Sequence, residues 1–489
     1  MPTRVLPANM MEMMLTPRRQ NRSGVDILSQ KKFHMPTAYT ILFLLLILVA
    51  AATWIIPAGS YDYVDGVPVA GTYHTVEQNP QGVGDVLKAA FSGFYDAVDV
   101  CIFILMVGGF LGVVMKTGAV DAGVANIIRL LGGREKWLIP ILMLLFGLGG
   151  TTYGMWEETM AFYPLLIPVF LAAGYDAVVG ISVILLGAGA GVIASTVNPF
   201  ATGIAAGFAG VSLGEGIVLR LLEWVAFEAA AIWFVMAYAA KVKKNPSKSV
   251  VGVGAGKIQV SMDQQVPFTA KRKVIMALFT LTFLIMVYAV VPFDEMGLSL
   301  PALGWWFPEL SALFLVAGVV IGLIDRMSEE ELVETYVAGC ADLLGVAFII
   351  GISRGITVLM NDGAITDTVL HWGEQALSGA GAISFTLLVF ALYLPLTILI
   401  PSSSGLATLS IPIVAPLGKF AGVGGDLVVT AFQSASGLVN IITPTAAVVM
   451  GALALGHVPY DRWVKYVWKL ILWFLLLALA FLVAGVLLG

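Results

Sequence analysis

The 489-residue chain is 59% hydrophobic and only 12% charged, with a formal net charge of −5 and a mean hydropathy of +0.94. Soluble domains carry about a quarter charged residues, so the composition excludes a soluble globular protein and places the chain in a lipid bilayer. Scattered basic residues give no nucleic-acid surface. Cys101 and Cys340, in or beside apolar runs, give no disulfide framework, and the scattered His34, His74, His371 and His457 give no metal-ligand spacing.

Residues 1–36 are polar and Met-rich and read as a disordered cytoplasmic tail; the first apolar run starts too late for a typical cleaved signal peptide. Apolar runs able to span, or nearly span, ~30 Å of hydrocarbon follow at 39–56, 98–115, 177–193, 217–240, 274–291, 310–324, 343–360, 428–442 and 464–488. They divide into a first membrane repeat over 37–240, a cytoplasmic linker over 241–273 and a second, inverted repeat over 274–489. The distribution of Lys and Arg orients them. Arg18, Arg19, Arg22, Lys31 and Lys32 put the N-terminus inside, and the linker, with eight basic residues against Asp263, is inside as well. The loop at 58–97 sets five acids against Lys88 and reads as outside, as does 361–380, which has no Lys or Arg. One loop, 325–331, has Arg326 against four acids and disagrees with its inside assignment.

If 136–176 crossed the membrane once, the basic linker would fall outside. That stretch instead holds two apolar arms, 138–149 and 160–173, each shorter than the ~20 residues of a straight span. A helical hairpin entering from the cytoplasm fits, with its tip at 149–159. The equivalent hairpin of the second half runs over 383–421, has its tip at 401–405 and enters from outside. The expected architecture is an all-α membrane protein of nine spans and two opposed re-entrant hairpins, with Gly489 outside.

The halves are linked by repeated phrases. Met115-Lys116-Thr117-Gly118-Ala119-Val120 recurs as Met360-Asn361-Asp362-Gly363-Ala364-Ile365, Pro164-Leu165-Leu166-Ile167-Pro168 as Pro412-Ile413-Val414-Ala415-Pro416, and Val197-Asn198-Pro199 as Ile442-Thr443-Pro444. Gly93-Phe94-Tyr95-Asp96 pairs with Gly339-Cys340-Ala341-Asp342. Duplication with inverted topology is the signature of a secondary transporter whose site lies where the halves meet.

Asn198-Pro199 and Thr443-Pro444 sit at matching places in apolar runs that continue on both sides. Proline removes an N–H and clashes with the preceding turn, so both helices are expected to break there and to present half-helix ends to a ligand. A simple kink would explain either proline alone; the recurrence, with Ser195 and Thr196 in one copy and Ser434, Ser436 and Asn440 in the other, favours a site. Glu157 and Glu158 at the first tip are costly at that depth, where charged groups usually line a pathway; on a shallow hairpin both would merely face water. Arg354 lies mid-span, where its plainer role is an ion pair with Asp342 or Asp99. Glu223 and Glu228, nearer the start of a span and not sharing a tight helical face, read as scaffold packing or an interface. There is no phosphate-binding Gly-rich loop with Lys and no nucleophile–base pair, so neither an ATP-driven pump nor an enzyme is expected.

From about Lys32 to its end the chain resembles the YfcC group of the four-carbon dicarboxylate anaerobic carrier family, within the ion transporter superfamily. The resemblance rests on Met35-Pro36-Thr37-Ala38-Tyr39-Thr40, Trp54-Ile55-Ile56-Pro57-Ala58-Gly59, Gly154-Met155-Trp156-Glu157-Glu158-Thr159 and Pro401-Ser402-Ser403-Ser404-Gly405-Leu406-Ala407. It implies an elevator-type secondary carrier of the cytoplasmic (inner) membrane, with two hairpin tips and two unwound helices around the substrate and, by superfamily analogy, a homodimeric assembly. Members are associated with basic amino-acid exchange or with dicarboxylates. The expected substrate-binding residues are Glu157, Glu158, Thr159, Asn198, Arg354, Ser402, Ser403, Ser404, Asn440 and Thr443. Ser195, Thr196, Asn198 and Thr443 are candidates for a coupling ion, Na⁺ or H⁺; no other cofactor is expected. Two carboxylates at one tip favour a cationic amino acid, whereas a dicarboxylate would have to rely on Arg354.

Overall fold

A computed structural model of the chain describes residues 38–120, 122–123, 126, 134–152, 154–212, 214–252, 267–290 and 300–488. The N-terminal tail, the middle of the linker and Gly489 therefore lie outside the described residues. Seventeen α-helices are found among them. They are α1 Ala38–Ala52, α2 Val83–Asp96, α3 Val98–Lys116, α4 Leu138–Thr152, α5 Tyr163–Ala172, α6 Ala177–Ile193, α7 Ile204–Ala209, α8 Ile217–Lys244 and α9 Ala270–Val290. The rest are α10 Phe307–Asp325, α11 Glu329–Asp362, α12 Thr366–Leu377, α13 Ala382–Leu399, α14 Ser403–Phe420, α15 Gly425–Asn440, α16 Ala447–Leu455 and α17 Tyr460–Leu488.

The repeated phrases correspond to repeated elements. In each half two helices (α4 and α5; α13 and α14) precede a buried helix that breaks (α6; α15), a short continuation (α7; α16) and a long closing helix (α8; α17). All of α6 and nearly all of α15 are buried; α6 accordingly reads as a continuous apolar run rather than as a stripe. The helices α4 and α5 are 15 and 10 residues long, about 22 and 15 Å at 1.5 Å per residue, and both pack on α6.

Five described helices are long and apolar enough to cross a membrane: α3, α10, α11, α13 and α17. Of the nine expected spans, those at 39–56, 177–193, 217–240, 274–291 and 428–442 correspond to α1, α6, α8, α9 and α15, none of which is among the five; α1, α6 and α15 have only 15, 17 and 16 residues. Helix α13, read as a hairpin arm, has 18 residues and passes as a span by length and composition. Helix α8 has 28 residues but is not among the five; it carries Arg220, Glu223 and Glu228 within its apolar run, all buried in the protein. It also continues past residue 240 to Lys244, with Lys241, Lys243 and Lys244 in its last turn, where cations suit the helix dipole.

Helices α2, α3 and α11 form a second packed group. Gly108 and Gly112 of α3 meet Gly339 of α11 backbone to backbone: a Cβ on Gly108 would come 2.5 Å from the Gly339 carbonyl oxygen. This is the close small-residue packing that joins helices in lipid. Farther along, Gly93 of α2 abuts Gly351 and Gly355 of α11.

Four two-residue strands between α1 and α2 pair as β1 Gly59–Ser60 with β4 His74–Thr75 and β2 Tyr63–Val64 with β3 Val67–Pro68. This loop clasps α12: Tyr61 donates to Glu374 (2.8 Å), Tyr63 to Asp367 (2.8 Å), and the rings of Tyr73 and His371 stack 4.0 Å apart. Burial and the hydrogen bond to Glu374 hold the Tyr61 hydroxyl well above its ordinary pKa, so it stays a donor at physiological pH.

Candidate functional site

The two broken helices cross at their breaks. Gly437 of α15 lies against the backbone of Ile193, Gly189 of α6 against Ile441, and Gln433 Nε2 donates to the Val192 carbonyl at 2.7 Å. Only glycine permits these approaches, since a side chain at Gly437 would come 2.6 Å from the Ile193 Cα. Beyond the first break the chain resumes as a π-helical turn over Pro199–Gly203. Beyond the second, α16 starts at Ala447.

The first tip is tied to the first break. Thr151, at the end of α4, donates to the Ala194 carbonyl (2.8 Å), and the Thr196 hydroxyl donates to the Thr151 carbonyl (2.9 Å). Gly154 then takes φ +78°, and the Asn198 amide occupies the space where a side chain would stand, 2.5 Å from an added Cβ. From this turn the chain enters a 3₁₀ helix at Glu157–Phe162.

Consecutive residues of a tight turn point in different directions, and this separates the two glutamates. Glu158 is buried and folds back to accept from the Trp156 N–H at 3.1 Å; the buried Thr159 hydroxyl donates to the Trp156 carbonyl. Both therefore hold the tip together. Glu157 faces a cavity of ≈ 40 Å³, lined also by Val100, Trp156, Ile350, Ser353, Arg354, Pro401, Asn440 and Thr445 to Val448. The space suits a few ordered waters and is smaller than an amino acid, so a substrate requires it to open.

Four structural units meet there. Helices α3 and α11 supply Val100, Ser353 and Arg354, the first tip supplies Glu157, the second supplies Pro401, and the second broken helix supplies Asn440 and the start of α16. Ser353 pins the break by donating to the Thr445 carbonyl at 2.6 Å. The partner of Arg354 is Asp96, 3.7 Å away, rather than Asp342 or Asp99; the neighbouring α2 brings it there. At that distance, with the Asp96 side chain about half exposed, such a pair contributes little and leaves the guanidinium usable. The Asn440 Oδ1 is buried and has no hydrogen-bond partner among the described residues, so it is an available acceptor. The start of α16 offers the opposite polarity, because the first N–H groups of a helix have no intrahelical acceptor.

The other expected residues do not line the cavity. Thr443 shares a 2.9 Å hydrogen bond with Thr445, and Ser402 caps α14 by accepting from Gly405 N–H at 3.2 Å, with Ser404 3.4 Å away. Ser403 begins α14. Ser195 is buried at the first break, its hydroxyl unpartnered among the described residues. Asn198 and Thr196 serve the tip-to-break junction. The sequence reading did not single out Trp156, Ser353, Thr445 or Asp96; the available signals were adjacency to Glu157, Arg354 and Pro444 and, for Asp96, its place in a repeated phrase.

A multi-pass membrane protein of two like halves, with a small cavity where both tips meet the second broken helix, has the organisation of a carrier. The chain belongs to the C4-dicarboxylate anaerobic carrier (DcuC) family, whose model matches residues 35–487. It is 30% identical over 484 residues to a protein of Escherichia coli K12 described as "Putative basic amino acid antiporter YfcC", covering 89% of this chain and 93% of that one. It is 35% identical over 509 residues to a protein of Haemophilus influenzae described as uncharacterized, covering 94% and 98%. Among solved structures, the YdaH transporter of Alcanivorax borkumensis matches with a TM-score of 0.42 and 15% identity over 91% of this chain and 98% of that one. MtrF of Neisseria gonorrhoeae, titled among antimetabolite efflux pumps, matches at 0.41 and 18% over 92% and 94%.

Proposed function

We propose that this transporter exchanges basic amino acids across the membrane. The observation that carries the reading is the mixed polarity of one cavity. A cationic amino acid brings a side-chain cation, which Glu157 and the Asn440 Oδ1 would accept, and a carboxylate, which Arg354 and the start of α16 would bind. The relative described as a basic amino acid antiporter supports it. In this scheme α4–α5 and α13–α14 are the opposed re-entrant hairpins, and they move with the two broken helices against α2, α3 and α11 in an elevator-type cycle.

A second reading, a four-carbon dicarboxylate carrier coupled to Na⁺ or H⁺, draws on Arg354 and the family description. It leaves Glu157 facing a dianion, which is unfavourable in a partly desolvated cavity. Radiolabelled counterflow in proteoliposomes separates the two. Arginine, ornithine or lysine should exchange against itself; exchange of succinate or fumarate with none of the three would refute the proposal and move Glu157 to ion coupling.

A further inference from the structure

Helix α8 carries a carboxyl that substrate exchange does not use. Glu228 is 2% exposed, and neither of its oxygens has a hydrogen-bond partner among the described residues. It fills a notch in α4 that exists only because residue 147 is glycine, since a Cβ on Gly147 would collide with its Oε2. Glu223, on the same helix and equally buried, shows the contrast: it accepts from the Ser434 hydroxyl at 2.8 Å and so ties α8 to the second repeat.

Among the described residues, nothing around Glu228 supplies a counter-charge. Helices α4 and α6, which pack on α8, contain no titratable side chain. On α17, which also packs there, Tyr460, Asp461, Arg462, Lys465, Tyr466 and Lys469 all lie in the first ten residues. Tyr460 donates to the Ile442 carbonyl. Asp461 pairs with Arg462 and Lys465, Lys469 lies over Trp468, and Tyr466 receives a hydrogen bond from Ser182. What α17 sets beside the neighbouring Phe227 is Phe474, ring to ring at 4.7 Å. The short 3₁₀ helix after α8 offers only the exposed Lys248. Along α8 itself, Arg220 donates to the Glu215 carbonyl, Tyr238 to Asp176, and Lys243 to Glu135, while Lys241 and Lys244 are exposed in its last turn.

We propose that Glu228 is a proton-binding site that couples a proton gradient to the exchange cycle, an inference that rests on the exchanger reading above. An unpaired carboxylate in apolar surroundings is strongly disfavoured. A proton taken from the bathing water onto one oxygen neutralises it, and no other bond changes. The notch also lies on the arm that leads to the substrate cavity: one turn beyond Gly147, Thr151 holds the break of α6, and Glu157 follows on the same tip. Ionising Glu228 requires α4 and α8 to part far enough to admit water, which moves that arm.

The test uses purified wild type and Glu228→Gln in proteoliposomes. Arginine counterflow at equal pH on both sides reports the exchanger reading and should stay within about twofold in the variant. An imposed pH gradient should raise arginine accumulation several-fold in wild type and not in E228Q. Infrared spectra should show a protonated-carboxyl band in wild type that E228Q lacks, a readout that holds whichever substrate is carried. Accumulation that responds to the gradient equally in both proteins, or identical infrared bands, would overturn the proposal. Should E228Q not fold, Gly147→Ala, which displaces the carboxyl, is expected to shift the pH profile of transport; an unshifted profile in a folded G147A protein would equally overturn it.

Discussion

At the first tip a left-handed glycine turns the chain against Asn198, buries Glu158 on the Trp156 N–H and leaves Glu157 on the cavity wall. At the second, Ser402 caps α14 and Pro401 is the residue that reaches the cavity. The first tip is held by the Glu158 carboxylate and the Thr159 hydroxyl, the second by the Ser402 hydroxyl. The residue presented to the cavity differs in charge, while the second half compensates with Asn440 and the start of α16. The two copies thus differ both in how the chain turns and in what they present to the cavity, an acid in one and a proline in the other, and in the proposed exchanger that divergence gives one cavity a cation-accepting side and an anion-accepting side.

The comparison breaks most severely at Gly154. Gly154→Ala places a Cβ in the left-handed region, at about 1–2 kcal/mol, and drives it into Asn198; transport should be lost, and the variant's Tm in detergent should fall. Glu157→Gln comes next. Hydrogen bonds to charged groups contribute about 1.5–3 kcal/mol, so apparent affinity for arginine should weaken by roughly ten- to a hundredfold with the Tm unchanged. Ser402→Ala removes a helix cap worth about 1 kcal/mol and should appear mainly as a lower Tm. Thr443→Ala is the mildest: one hydrogen bond of about 0.5–1.5 kcal/mol predicts a severalfold rise in KM for exchange in a folded protein.

Much of the architecture was legible because duplication writes itself as phrases at a constant offset and because proline stops helices: the breaks after Ile193 and Asn440 stand where Asn198-Pro199 and Thr443-Pro444 predict them. Charge also pointed to the first tip. The roles of neighbouring glutamates were not legible, because whether residue 157 or 158 points inward depends on turn dihedrals that one sequence does not encode separately. The pairing of Arg354 with Asp96 depends on how α2 lies along α11, and that contact is set by Gly93, Gly351 and Gly355, whose spacing reads as ordinary small-residue content. Glu228 was read as scaffold or interface because its distinguishing property, burial with no hydrogen-bond partner among the described residues, exists only once α4, α6, α8 and α17 are packed.

The central claim is that the two adjacent acids of the first tip have different jobs, Glu157 binding the substrate's cation and Glu158 holding the turn. Calorimetric titration of arginine into purified wild type, Glu157→Gln and Glu158→Gln tests it directly. Binding at least tenfold weaker in E157Q, with E158Q within about threefold of wild type and lower in Tm, is the predicted result; equal arginine affinity in wild type and E157Q would contradict it.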